Sequence, residues 1–147
     1  MANVVGPLQI SPYSTTSFKQ YGVYNFVSNS YGAGNYYHFK TSIALSTYVM
    51  TMVEAVGINY AASKPIKCAW VMYSYFYLIG GVQTLYDGVS ADAVYLSSDN
   101  YFCLRAYVAT PGDTSFQLSC VQANPSSPGY GLTILAASHN NNSGSYY

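Results

Sequence analysis

The sequence predicts an all-β fold, an antiparallel β-sandwich of jelly-roll-like topology preceded by an extended N-terminal arm. Apolar segments from Tyr36 onward alternate with a period of two residues, as expected of strands with two distinct faces. Clusters of Gly, Pro, Asp and Asn separate these segments, and no stretch keeps a helical period long enough to compete. Roughly seven or eight short strands divided by such turns are typical of sandwiches.

The first 35 residues form the predicted arm. Pro7, Pro12 and a Ser/Thr cluster interrupt any sustained alternation, but the segment has too many aromatic residues for a disordered linker. We expect the arm to become ordered by lying on a partner or on its own domain, with 21–27 able to add a strand. Five aromatic residues are the predicted contacts for docking on a larger particle: Tyr13, Phe18, Tyr21, Tyr24 and Phe26.

The sandwich domain is predicted over 36–138. Besides one long central strand, six segments have the alternation and the length of strands: 36–46, 49–60, 91–98, 101–110, 115–122 and 132–138. The stretch 82–92 is looser and contains a turn signal at Asp87-Gly88. The last residues, 139–147, are polar and low in complexity, and they predict a flexible C-terminal tail.

The central strand is predicted to begin at Pro65 and to end at Gly80-Gly81. One of its alternating faces is expected to line the core, with Ile66, Cys68, Trp70, Met72, Ser74 and Phe76. The opposite face is also mostly apolar, which is a larger patch than monomers usually expose. We therefore expect this second face to form a subunit interface, with Val71, Tyr73, Tyr75 and Tyr77 as its contacts.

The composition narrows the class of protein. The chain has 147 residues, enough for one domain with a core, and its five basic and five acidic residues give a net charge of zero. The basic residues are dispersed, so no nucleic-acid footprint is predicted. No apolar run reaches the roughly 20 residues that a membrane span requires, and the first residues do not resemble a signal peptide.

Tyrosine and cysteine give two further expectations. Tyr occurs 18 times in a chain of which only 7% is charged, and such a surface favours contact with other surfaces. The alternative is that Tyr replaces Phe on half-exposed strands, which favour both residues. The three cysteines, Cys68, Cys103 and Cys120, are widely spaced, so we expect reduced thiols, with Cys68 and Cys120 in the core.

No constellation of residues predicts catalysis, a metal or a cofactor. The two histidines, His38 and His139, stand in no nucleophile or metal motif, and His38 is expected to be a solvated residue at a strand end. Asp87, Asp92 and Asp99 fall in or beside loops but lack the spacing of a calcium-binding loop.

A series of short motifs follows the predicted strands: Gly57 and Tyr60, Pro65-Ile66, Tyr73 and Tyr75, Tyr95-Leu96, and Leu104-Arg105. With these motifs, the sequence from 37 to 138 resembles the small β-sandwich domains at the ends of bacteriophage fibres and of other virion proteins. The resemblance implies a virion location, assembly as a homotrimer, contacts with other virion proteins and contact with carbohydrate on the host surface. Three loop aromatics are the residues expected to make that last contact: Tyr86, Tyr101 and Tyr130.

The sequence thus predicts a non-enzymatic structural protein of a bacteriophage virion. A fibre or tail-tip role and a capsid-decorating role both fit this prediction. One alternative is a free-standing carbohydrate-binding module, which needs no arm. Another is a small glycan hydrolase, which requires Glu54 and a loop aspartate to converge.

Overall fold

The computed structural model describes residues 8–10, 17–47, 49–74, 78–123 and 131–147. These ranges contain one short 3-10 turn, at Leu45–Thr47, and ten strands. In chain order the strands are β1 Leu8–Ile10, β2 Ser17–Ser28, β3 Tyr36–Ala44, β4 Met50–Asn59, β5 Lys64–Ser74, β6 Leu78–Asp87, β7 Ser90–Leu96, β8 Tyr101–Tyr107, β9 Thr114–Ala123 and β10 Ile134–Asn140. Within the described ranges, no helix is long and apolar enough to cross a membrane.

The strands form two antiparallel sheets that pack as a sandwich, which confirms the predicted fold class. One sheet has six strands in the order β1-β2-β9-β4-β5-β6, and the other has four in the order β10-β3-β8-β7. The chain changes sheet between β2 and β3, between β3 and β4, and again after β6, β8 and β9. These crossovers place β9 between β2 and β4, so the sheet order departs from chain order as in a jelly roll.

The core lies between the sheets and is rich in aromatic side chains. Phe26, Tyr37, Phe39 and Phe116 are buried, and their rings pack against one another with centroids 4.7 Å apart for Phe26 and Tyr37 and 4.9 Å for Phe26 and Phe116. Trp70 is fully buried and donates its indole N–H to the Arg105 carbonyl at 2.9 Å. This hydrogen bond joins β5 of one sheet to β8 of the other.

The structure corrects the predicted central strand. Its core-facing residues Ile66, Cys68, Trp70 and Met72 are buried, as expected. The strand, however, ends at Ser74, and the chain returns from Leu78 as β6, which pairs antiparallel with β5. Alternation with a period of two continues on both sides of a chain reversal, so the pattern itself did not reveal the reversal.

Much of the predicted arm belongs to the sandwich. β2 pairs along its length with β9, apart from an irregularity between Gln20 and Tyr24, and β1 pairs with β2. Phe26 from β2 is part of the core, with Tyr24 packed against it. The described part of the segment thus lies on the sandwich. The predicted boundary between an arm and a domain at residue 36 stays a prediction.

The C-terminal residues, for which the composition predicts a flexible tail, pack against the four-stranded sheet, and their flexibility stays a prediction. His139 and Asn140 belong to β10, and residues 141–147 then cross the side of this sheet that faces away from the core. The Asn142 carbonyl accepts a hydrogen bond from His38, and the Gly144 carbonyl accepts one from Arg105. The Tyr147 carbonyl accepts from the Ser98 N–H at 3.1 Å. We call 141–147 the C-terminal strap.

Candidate functional site

The predicted docking residues have different environments. Phe26 is buried and Tyr24 packs against the core, because the phase of β2 points both side chains inward. Their predicted role in docking stays a prediction. Tyr21 is exposed on the opposite side, with the Lys19 ammonium 4.9 Å from its ring centre. Tyr13 and the side chain of Phe18 lie outside the described residues.

The residues predicted as a subunit interface lie partly on one surface. Val71 is half exposed and Tyr73 partly buried, both on the side of β5 that faces away from the core. Tyr75 and Tyr77 lie outside the described residues. β5 ends at Ser74, so Val71 and Tyr73 are the predicted interface residues that it carries.

Neighbouring strands extend this surface into an apolar sheet face. Strand register places Met52 of β4 beside Val71 on one side and beside Val121 of β9 on the other, while Met50 lies opposite Tyr73. Met50, Val56, Ile58 and Val71 are each between 45% and 51% exposed. We call the side of the six-stranded sheet that faces away from the core the outer face. Its described charged residues are Lys19, Glu54 and Lys67, few for a surface that faces water.

The predicted recognition residues do not form one cluster in the described part of the chain. Tyr86 is exposed on β6 and lies opposite Lys67. Tyr101 begins β8 in the other sheet, and the Lys40 ammonium lies 5.3 Å from its ring centre. Tyr130 lies outside the described residues. Their role in recognition stays a prediction.

A different cluster of aromatic and polar residues forms at one end of the sandwich, where β2 and β4 end and β9 begins. Tyr31 and Tyr60 are both largely exposed, with 63% and 72% of their surface accessible. The Tyr31 hydroxyl donates to an Asp113 carboxylate oxygen at 2.7 Å, and the Tyr60 N–H donates to the Asp113 carbonyl, also at 2.7 Å. Sequence analysis missed this cluster, since its residues come from three separate loops and share no motif.

A shallow cleft of about 160 Å³ opens beside this cluster. It is lined by Val27, Ser28, Asn29, Ile58, Tyr60, Asp113, Thr114 and Ser115. Val27 and Ile58 lie on either side of Ser115 in the strand register, so the cleft occupies the end of the outer face. It therefore combines an aromatic ring and aliphatic side chains with a carboxylate and neutral hydrogen-bonding groups.

A larger cleft of about 530 Å³ adjoins the first and shares Val27, Ser28 and Asn29 with it. Inside it the Ser28 hydroxyl lies 3.2 Å from Nδ1 of His139, and Nε2 of His139 lies 2.6 Å from the Gly34 carbonyl oxygen. Because a carbonyl oxygen only accepts, Nε2 carries the proton and Nδ1 accepts from Ser28. No carboxylate bonds to this ring among the described residues, and the pair ties the end of β2 to β10.

His38 is fully buried, which corrects the expectation of a solvated histidine. Its Nε2 donates to the Asn142 carbonyl at 2.8 Å, and its Nδ1 lies 3.0 Å from the Tyr95 hydroxyl. The Tyr95 oxygen in turn accepts from the Tyr146 N–H at 3.3 Å. Burial lowers the pKa of His38, and the nearby Arg105 adds to this effect. The neutral ring therefore fastens the C-terminal strap to β3.

The loop carboxylates do not converge. Asp99 bonds to Lys40 at 2.7 Å, Asp87 to Lys64 at 3.1 Å, and Asp92 to Arg105. Within the described residues, no group of three His, Cys, Asp or Glu side chains lies close enough to hold a metal ion. Each of these three aspartates thus has its own basic partner.

The three cysteines are buried as thiols without a disulfide. Burial raises the pKa of Cys68 and Cys120 to about 12 and that of Cys103 to about 11, from an ordinary value of 9.0. Between pH 9 and 11 the unfolded chain therefore loses thiol protons that the folded chain keeps. We expect the free energy of unfolding to fall as pH rises through this window, by up to about 1.4 kcal/mol per pH unit and thiol.

Urea unfolding at several pH values above 8 measures this effect. A variant in which all three cysteines are replaced by alanine is the control, and its stability should fall less steeply with pH. Equal slopes for the two proteins would show that the thiols ionise as easily in the fold as in the unfolded chain.

Comparison with known proteins gives one similar structure. No family model and no curated protein sequence matches this chain. The fold is similar to part of the tailspike protein gp49 from Acinetobacter baumannii bacteriophage Fri1, a capsular polysaccharide depolymerase, with a TM-score of 0.54 and 14% sequence identity. The similarity covers 90% of this chain and 22% of the tailspike, so this chain spans about a fifth of that protein's length. It shows a shared fold.

Proposed function

We propose that this protein is a non-enzymatic structural component of a bacteriophage tail, a fibre or tail-tip protein located in the virion. Two lines of support come from different sources. The sequence motifs resemble those of small phage-fibre domains, and the fold is similar to part of a phage tailspike. The tailspike favours a tail position over capsid decoration. Contacts with other virion proteins and docking through the first residues of the chain belong to the same proposal.

Self-association through the outer face is the second part of this proposal, and the exposed apolar residues of that face are the observation that carries it. Antiparallel sheets that meet water usually carry polar residues on the wet side. Here Met50, Met52, Val71, Tyr73 and Val121 form an uncharged patch at one end of the outer face, with Lys19 beside Val121 at its edge. We call it the Met50 end. A second copy of the chain, equally poor in charge, is a suitable cover for it, and the resemblance to fibre domains favours three copies.

The Val71→Lys variant tests the interface. A lysine at the Met50 end would bring a charge into an apolar contact, so we expect the dissociation constant of the assembly to rise at least about 100-fold. Light scattering coupled to size exclusion measures the mass. We expect three times the chain mass of 16.0 kDa for the native protein and a smaller mass for the variant.

Leu135→Lys is the matched control, because Leu135 is about equally exposed but lies on β10 of the other sheet. This variant should assemble like the native protein. A native protein that is monomeric at all concentrations would refute self-association, and a Val71→Lys variant that assembles normally would place the contact elsewhere.

A further inference from the structure

We propose that the cleft beside Tyr60 and Asp113 is a binding site for a neutral saccharide. The residues involved are not those that the sequence suggested for recognition. The inference goes beyond the structural role proposed above, since self-association requires no small ligand. We call this cleft, with the eight lining residues given above, the Tyr60 cleft.

The chemistry of the lining suits the two kinds of surface that a sugar ring presents. The exposed ring of Tyr60 and the side chains of Val27 and Ile58, which are 75% and 51% exposed, can cover the C–H face of a pyranose. Asp113, Asn29 and Ser115 belong to the same lining, and carboxylate, amide and hydroxyl groups can bond to sugar hydroxyls. A few polar groups placed around an apolar floor are the usual composition of a small-molecule site.

The charge of the lining selects among saccharides. Asp113 is the charged residue among those that line the Tyr60 cleft, and no Lys or Arg belongs to this lining. A carboxylate accepts hydrogen bonds from hydroxyls, and such charge-assisted bonds are about twice as strong as neutral ones. The same carboxylate repels uronic or sialic acids. The structure thus favours a neutral hexose or N-acetylhexosamine.

The carboxylate is held in place before any ligand binds. The Tyr31 hydroxyl donates to Asp113, and the Tyr31 ring lies directly on Gly112, where a side chain would collide with it. Gly112 also has a positive φ of 150°, which strains any residue with a side chain. A fixed acceptor loses little conformational entropy when it binds a ligand.

The size of the site indicates how a longer glycan is bound. A cleft of about 160 Å³ is smaller than the roughly 300–1,000 Å³ of sites that enclose a drug-sized ligand. It therefore holds about one sugar unit and leaves the rest of the chain on the surface. The larger cleft that shares Val27, Ser28 and Asn29 provides a path for the neighbouring units.

The Tyr60 cleft and the proposed interface lie at different ends of the outer face. Met52 and Ile58 are six positions apart in β4, a distance of about 20 Å along a strand. Saccharide binding and self-association can therefore succeed or fail independently of each other.

The test is titration calorimetry on the full chain with maltohexaose, cellohexaose and chitohexaose, and with hexagalacturonate as the charged comparison. We expect saturable binding of at least one neutral oligosaccharide with a dissociation constant of about 1 mM or lower, and none of hexagalacturonate. Tyr60→Ala should weaken that binding at least about tenfold, because it removes the aromatic surface. Asp113→Asn, which keeps an acceptor for Tyr31, should weaken it several-fold.

Tyr86→Ala is the matched control, since Tyr86 is an exposed tyrosine on β6, outside the lining of the Tyr60 cleft. Its affinity should equal that of the native protein. The proposal is overturned if none of the three neutral oligosaccharides binds, or if Tyr60→Ala binds as well as the native protein. It is equally overturned if Tyr86→Ala rather than Tyr60→Ala loses binding. The Val71→Lys variant should bind normally, which separates this result from the test of assembly.

Discussion

Replacing Trp70 with alanine should destabilise the fold by about 3–5 kcal/mol, a large part of the 5–15 kcal/mol that holds a typical domain together. Trp70 is fully buried between the sheets, and its N–H bonds to the Arg105 carbonyl. The variant loses the packing of the indole and leaves that carbonyl without its partner. Urea unfolding followed by far-UV circular dichroism measures the change.

Two further variants show how much of this destabilisation comes from the lost hydrogen bond and whether it is specific to the buried position. Trp70→Phe keeps an aromatic ring but not the donor, so we expect a loss of about 1–3 kcal/mol from the unpaired carbonyl and the smaller ring. Val71→Ala is the neighbouring control on the outer face and should change stability by less than about 1 kcal/mol. If Trp70→Ala were as stable as the native protein, the inward phase assigned to β5 would be incorrect.

Deleting the C-terminal strap, 141–147, should expose Cys103 to thiol reagents. Cys103 lies on the side of β8 that faces away from the core and is nevertheless fully buried, near Tyr147 of the strap. We expect its labelling rate in the folded protein to rise at least about 100-fold, since the closed native protein reacts only through rare opening. Cys68 and Cys120 should stay protected, because the two sheets cover them.

The same deletion should change the titration of His38. Without Asn142 and Tyr146 the ring meets water, so its pKa should rise towards the ordinary value of 6.5. In the native protein the neutral ring costs stability as pH falls below 6.5, because the unfolded chain then binds a proton that the fold excludes. NMR titration of the imidazole signals measures both values.

A milder variant tests the same coverage of Cys103 in case the deletion unfolds the protein. Replacing Tyr146 and Tyr147 together with alanine removes the two rings and keeps the backbone bonds of the strap. Cys103 labelling should then rise by a smaller factor, with an unchanged β spectrum. Unaltered labelling in both variants would show that other residues cover Cys103.

Alternation and turn residues were sufficient to predict the two-sided strands. The burial of Ile66, Cys68, Trp70 and Met72 follows directly from their spacing, because side chains alternate across a strand. The reversal of the chain between β5 and β6 could not be predicted from the sequence, since the segment contains no Gly, Pro, Asn or Asp where the strand ends at Ser74.

The Tyr60 cleft could not be predicted for a different reason. Tyr31, Tyr60 and Asp113 occur in three separate loops that share no motif, and turn formation is enough to explain Asp113 when it is taken by itself. They become one site because β2, β4 and β9 are neighbours in the six-stranded sheet and place their ends together. These strands are adjacent because of pairing between residues far apart in the chain, which a local sequence pattern does not reveal.

The sequence by itself determined the fold class, the inward face of most strands and the burial of Cys68 and Cys120, because these follow from local periodicity and from the cost of exposing apolar surface. Only the tertiary structure decided the strand order, the inclusion of β2 in the core and the burial of His38 and Cys103. Those two side chains point away from the core in the phase of their strands. They are covered because the strap folds back on them, and such coverage depends on contacts between residues far apart in the chain.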